Sequence, residues 1–91
     1  MAAGTSPSAI HDPASGYTWV FYQGSNGELW EAIDPGTGWG EGPRGGAMAA
    51  DTSPSAIDEE GDSRLSVFYQ GTEGQIWEAY QPGAGWSEAE L

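Results

Sequence analysis

Two glutamates, Glu31 and Glu78, sit in near-identical settings, "LWEA" and "IWEA", and in each case a tryptophan follows eight residues later, Trp39 and Trp86. A carboxylate accepts hydroxyl hydrogens through charge-assisted bonds. An indole offers a flat apolar face with a polar edge. Together they form a standard means of holding a neutral polyol such as a sugar: the acceptor takes its hydroxyls and the ring its C–H face. Each of these residues also has a structural use, since an indole buries much area and a buried acceptor must be paired. Trp30 and Trp77, beside the glutamates, fit strand packing better than ligand contact.

The doubling extends along the chain. Shifted by 47 residues, the sequence aligns on itself without a gap: "TSPSAI" at 5–10 and 52–57, "VFYQGSNGELWEA" with "VFYQGTEGQIWEA", and "PGTGW" with "PGAGW". About half the aligned positions from Thr5 onward are identical. A period of this length marks a repeat architecture in which each copy is one supersecondary unit. Within each copy, runs rich in β-branched and aromatic residues alternate with Gly- and Pro-containing turns. "SNG" and "TEG" are tight-turn sequences, and "DPGTG" and "QPGAG" supply a second turn. No helical spacing of apolar residues survives so many glycines and prolines. The fold class is therefore all-β, with four short antiparallel strands per copy, the last around Trp39 or Trp86. That is the size of one β-propeller blade. Residues 1–50 form blade 1 with its linker and 51–91 form blade 2.

Two blades leave apolar faces open, and propellers close with about four to eight. The expectation is closure by self-association, three chains giving six blades. The small residues of "TSPSAI" suit an innermost strand, where blades crowd toward an axis. Phe21 and Tyr22, like Phe68 and Tyr69, alternate along a strand, so one of each pair should be buried.

Composition excludes several classes. With 14 acidic residues against Arg44 and Arg64 and no lysine, the net charge is −12. Such a surface repels phosphate backbones and anionic membranes, so neither nucleic acid nor a membrane is an expected partner. The absence of cysteine removes disulfides and thiolate chemistry, and His11 alone makes no imidazole metal site. No metal or cofactor is implied. The acidic run 58–62 lacks the ligand spacing of a calcium loop and reads as a solvated turn. No stretch approaches the ~18 apolar residues of a membrane helix. "MAAGTSPSAI" has no basic or apolar leader region, so no signal peptide is expected and the compartment stays open.

The strings "VFYQGSNGELWEA" and "VFYQGTEGQIWEA", each closed by "GTGW" or "GAGW", resemble blades of β-propeller lectins of the Aleuria aurantia fucose-lectin type. They also resemble the two-blade bacterial relative from Ralstonia, which trimerises, and the Photorhabdus-type propeller lectins. The resemblance implies a multivalent lectin binding fucose or a related sugar in pockets between blades, some crossing chain boundaries. It places Glu31, Glu78, Trp39 and Trp86 in those pockets. The family's arginine, on the second strand, has no direct counterpart: its place holds Trp19 and Ser66. Arg64 lies two residues before Ser66 and points to the same strand face, with Tyr17 as its counterpart. Tyr17, Trp19 and Arg64 are thus further candidate pocket residues, in two unlike pockets.

Two other readings compete. A glycosidase needs two carboxyls about 5–9.5 Å apart, whereas equivalent positions on different blades lie farther apart, so no enzyme is expected. A self-assembling propeller scaffold without a sugar ligand is the alternative.

Overall fold

The computed structural model describes residues 1–12, 16–59, 64–81 and 86–91. Among the described residues the chain forms eight strands in two separate sheets. Sheet 1 contains β1 (Ser8–Asp12), β2 (Tyr17–Gln23), β3 (Glu28–Asp34) and β4 (Gly40–Ala47). Sheet 2 contains β5 (Ser55–Glu59), β6 (Arg64–Gln70), β7 (Ile76–Gln81) and β8 (Ser87–Glu90). Each sheet is an antiparallel meander with strands in sequence order. The all-β class read from the repeat is thus what forms among the described residues, as two four-stranded antiparallel sheets.

The turns follow from local chemistry. Between β2 and β3, the Gly27 amide donates to the Gly24 carbonyl and Gly24 to Glu28. Gly27 carries a φ of 86°, a region that favours glycine. The Trp30 indole lies over this turn, its N–H donating to Asn26 Oδ1 at 3.1 Å. A Cβ on Gly24 would fall 2.4 Å from that indole, so no larger residue fits without moving the ring. The β6–β7 turn repeats the pattern, with Gly71 beneath Trp77 and Gly74 at a φ of 88°.

Some sequence expectations need adjusting. Trp39 and Trp86 stand just before the fourth strands rather than within them. His11 lies on β1, with Nδ1 2.9 Å from Thr18 Oγ1. The acidic run begins within β5, at Asp58 and Glu59, while 60–63 lie outside the described residues, as do 82–85 of the second Pro-Gly turn.

Strand alternation gives each sheet two faces, and the sheets bury opposite ones. Sheet 1 buries Trp19, Phe21, Gln23, Leu29 and Glu31, which register places on one side. Sheet 2 buries Leu65, Val67, Tyr69 and Ala79, with Ser66 buried on its other side. The two buried faces meet in a single core. Trp86 meets Phe21 edge-on across this joint, ring centroids 5.6 Å apart. Gln23 donates to the Ala49 carbonyl at 2.9 Å. Glu88 Oε1 accepts the Tyr69 hydroxyl and, at 2.8 Å, the amide of Gly46 on β4. Opposed faces explain why the Phe–Tyr pairs sort differently: Phe21 is buried beside a half-buried Tyr22, and Tyr69 beside a half-buried Phe68.

The repeated hexapeptides fasten the inner strands. Ser53 Oγ accepts the Ser6 amide at 2.8 Å, and Ser8 Oγ accepts the Ala56 amide at 3.1 Å. Short hydroxyl side chains let β1 and β5 come close while each supplies the other's backbone with an acceptor.

Phe21→Ala removes the ring that the joint is packed on and is expected to cost about 3–5 kcal/mol in urea unfolding. Phe68→Ala, at the equivalent but half-exposed position, is expected to cost clearly less in the single chain; equal losses would contradict the opposed-face packing.

Candidate functional site

Where the sheets diverge beside the Phe21–Trp86 contact, they leave a cleft of about 1010 Å³. Its walls include Tyr17, Trp19, Glu31 and Ile33 from sheet 1, Pro43 and Arg44 from β4, and Trp86 and Glu88 from the second repeat. The buried floor is Glu31, its side chain 4% exposed, held there because register puts it opposite Phe21 on β2 and Gly42 on β4. Arg44 reaches along β4 so that its Nε lies 3.3 Å from Glu31 Oε2, as an ion pair. The guanidinium also donates to the Pro43 carbonyl at 3.0 Å, and about a third of the side chain remains exposed. Among the described residues Arg44 Nε is buried without an aligned hydrogen-bond partner.

The aromatic walls come from both repeats. Tyr17 and Trp19 tilt against each other with ring centroids 5.8 Å apart. Both point to the Glu31 face of sheet 1, and Trp86 closes the opposite side. The arrangement can accept hydroxyl hydrogens at Glu31, donate from Arg44 and present indole faces to an apolar ring surface. The lining is acidic, with Asp12, Glu28, Glu31 and Glu88 against one guanidinium. Among the described residues no group of three or more His, Asp or Glu side chains is placed to hold a metal ion.

Of the sequence candidates, Glu31, Trp86, Trp19 and Tyr17 are brought together here. Trp39 is not: it is 57% exposed, away from Glu31's cleft. Glu31 therefore shares its cleft with the tryptophan of the other repeat, not with the one eight residues downstream. Glu78 occupies the matching place on sheet 2, half-buried on the face turned away from the joint. The backbone of Arg64 pairs with Glu59, and its side chain lies outside the described residues. Sequence reasoning missed Arg44. It sought a cation on the second strand, while the cation that meets Glu31 comes from the fourth. The repeat hid it, because the aligned position in the second copy is Leu91.

Burial pushes the Glu31 carboxyl above its ordinary value of 4.5, and the charge of Arg44 pulls part of the way back. On the opposite face of sheet 1, Tyr22 donates to Glu41 Oε1 and its phenol is pushed up to about 12, by burial first and then by that carboxylate. The equivalent Tyr69, bonded to Glu88, is raised by the same causes.

Comparison with known protein families and with curated proteins returns no match to this chain.

The shift at Glu31 has a definite sign. Its folded state binds the proton more tightly than the unfolded chain, so its contribution to stability is full below pH 4.5 and is lost as pH rises through the raised folded value. Carbon-detected NMR titration of the Glu31 carboxyl is expected to show a midpoint above 4.5, moving further up in Arg44→Ala. A midpoint at or below 4.5 in the unsubstituted chain would contradict this electrostatic description.

Proposed function

We propose that this chain is a non-catalytic carbohydrate-binding protein, a lectin, taking a neutral sugar of the fucose-like or N-acetylated class in the cleft between its two sheets. The reading extends to architecture. Each sheet is one propeller blade, and three copies close a ring of six. No metal or cofactor takes part.

One observation carries the reading. A buried carboxylate, Glu31, is fixed by an ion pair to a partly exposed guanidinium, Arg44, between the indoles of Trp19 and Trp86. The charged pair is costly to bury and contributes little net stability in such settings. Its polar atoms nevertheless face an open cleft, where a ligand's hydroxyls would use the acceptor and donor left over. The two indoles fit the apolar face of a pyranose better than they fit a charged or extended ligand. The excess of carboxylates in the lining disfavours uronic and sialic acids and so supports the neutral class. Shallow single sites of this kind bind weakly. Several sites held on one rigid ring raise apparent affinity without any new contact.

A glycan array with the assembled protein tests the reading, followed by calorimetry on the best glycan. Neutral glycans are expected to bind, with carboxylated ones silent. Glu31→Gln removes a charge-assisted acceptor worth about 1.5–3 kcal/mol, so affinity should fall by ~10- to 100-fold. Binding should also weaken as pH is lowered through the Glu31 titration, since the acceptor form is the carboxylate. Silence on every glycan from a folded, assembled protein would sink the sugar reading and favour a ligand-free scaffold.

A further inference from the structure

Arg44 does not stand where an unbroken ladder would put it. On β3 and β4, Glu31 pairs with Gly42 and Trp30 with Pro43, and regular register would next set Leu29 against Arg44. Instead the register shifts. The following pair is Glu28 with Ala47, so β4 carries two residues more than β3 across this stretch, and Arg44, Gly45 and Gly46 bulge. Bulges re-aim side chains and leave backbone groups outside the ladder. Here bare Gly45 lies over the fully buried Leu29: a Cβ on it would fall 3.0 Å from Leu29 Cβ and 2.8 Å from Glu88 Oε1. Arg44 is left beside Glu31, with Nε 3.3 Å from Oε2.

The bulge is held from the other repeat. The Gly46 amide donates to Glu88 Oε1 at 2.8 Å, and Glu88 stands on β8, the edge strand of sheet 2. The same oxygen accepts the hydroxyl of Tyr69, a buried residue of β6, which fixes where the carboxylate sits. We infer that Glu88 is a positioning residue for the cleft: by holding the Gly46 amide it fixes the β4 bulge, and the bulge aims Arg44 at Glu31. The inference rests on the sugar-site reading above and adds what prepares that site.

A long side chain loses much rotamer freedom when it is aimed. A binding group held in place beforehand spares the ligand that cost. The side-chain contacts of Arg44 do little of the holding. Its guanidinium bonds to the carbonyl of its own neighbour, Pro43, and its Nε is buried without an aligned partner among the described residues. Its aim therefore depends on the backbone beneath it, and that backbone runs on into two glycines, the most permissive residues available. A Gly-Gly bulge needs an outside hold to keep one shape, and Glu88 supplies it. The glycines in turn admit Glu88, since a Cβ on Gly45 would collide with its carboxylate. Glu88 also lines the cleft, so a test must read Arg44 without sugar as well as with it.

Proton–nitrogen NMR of the arginine Nε–H groups provides that test on the full chain. Arg44 and Arg64 are the arginines of the sequence, and loss of one signal in Arg44→Lys assigns it. Without sugar, the Arg44 signal of the unsubstituted protein should be sharp and slow to exchange with water, as a buried Nε requires. Glu88→Ala should broaden it and speed its exchange, while the Trp86 indole signal stays in place and shows that the joint persists. Affinity for the best neutral glycan should fall by about 2- to 10-fold, the cost of ordering one long side chain on binding. Glu88→Gln keeps an acceptor for the Gly46 amide and should restore most of both. Tyr69→Phe decides the matter should Glu88→Ala lose the joint. It keeps the ring and removes the hydroxyl bonded to Glu88, and it should broaden Arg44 with Trp86 unmoved. An Arg44 signal indifferent to these changes overturns the inference, as does a loss in Glu88→Gln as large as in Glu88→Ala. If the chain binds sugar while Arg44 ignores Glu88, the positioning role falls and the sugar reading stands. If Arg44 responds but no glycan binds, the sugar reading falls and the hold on Arg44 stands.

Discussion

A sheet with apolar residues on both faces must be covered twice, and that constraint organises this molecule. Each repeat makes a four-stranded meander with aromatic side chains on either side, and one meander alone cannot remove both faces from water. The chain meets half of this demand internally. Trp86 lies against Phe21, and Glu88 clamps both the Tyr69 hydroxyl and the Gly46 amide. The serine hydroxyls of the two hexapeptides tie the inner strands. The outer faces carry the remaining half of the demand.

The cleft is a consequence of that joint. Two twisted sheets packed face to face do not stay in contact along their whole length, and these are tied both at β1 and β5 and, through Glu88 and the Gly46 amide, at β4 and β8. The opening falls where β3, β4 and the entry to β8 lie. Side chains there are neither fully packed nor fully solvated. Glu31 sits at this boundary, buried deeply enough for its proton affinity to rise, yet kept in register with an arginine that moderates the shift. Its contact with Arg44 keeps the carboxyl at the floor of the cleft. The indoles on either side give the cleft its apolar walls, and they come from different repeats. The proposed sugar site is accordingly a property of the joint and not of a single repeat.

Much of this was readable from the residues. Four glycine pairs and two proline pairs at matching turns, with β-branched and aromatic runs between them, leave little besides short antiparallel strands. The period identified the two units. Glu31 and Trp86 could be picked out as a polar acceptor and an aromatic, while Trp19 and Tyr17 came only from what the resemblance implies. What could not be read was which glutamate meets which tryptophan. Sequence spacing favours the pair within one repeat, Glu31 with Trp39. Face-to-face packing of sheets instead brings Trp86 to Glu31, and nothing local encodes that choice. Arg44 escaped notice for a related reason. It has no aligned cation, and its role arises only where β4 pairs with β3 at Glu31. The burial of Phe21 against Tyr69, rather than of the same residue type in both copies, likewise depends on which face each sheet turns inward.

The proposition that a ligand enters between the sheets and rests on the indole of the second repeat is tested most directly by the tryptophan side-chain N–H signals. A proton–nitrogen NMR titration with neutral methyl glycosides, with the Trp86 signal assigned by its loss in Trp86→Phe, would follow each indole separately. The account predicts saturable shifts at Trp86 and Trp19, with Trp30 and Trp77 unmoved. Saturation that leaves Trp86 and Trp19 unchanged, or that shifts only the indoles over the hairpin turns, would contradict it.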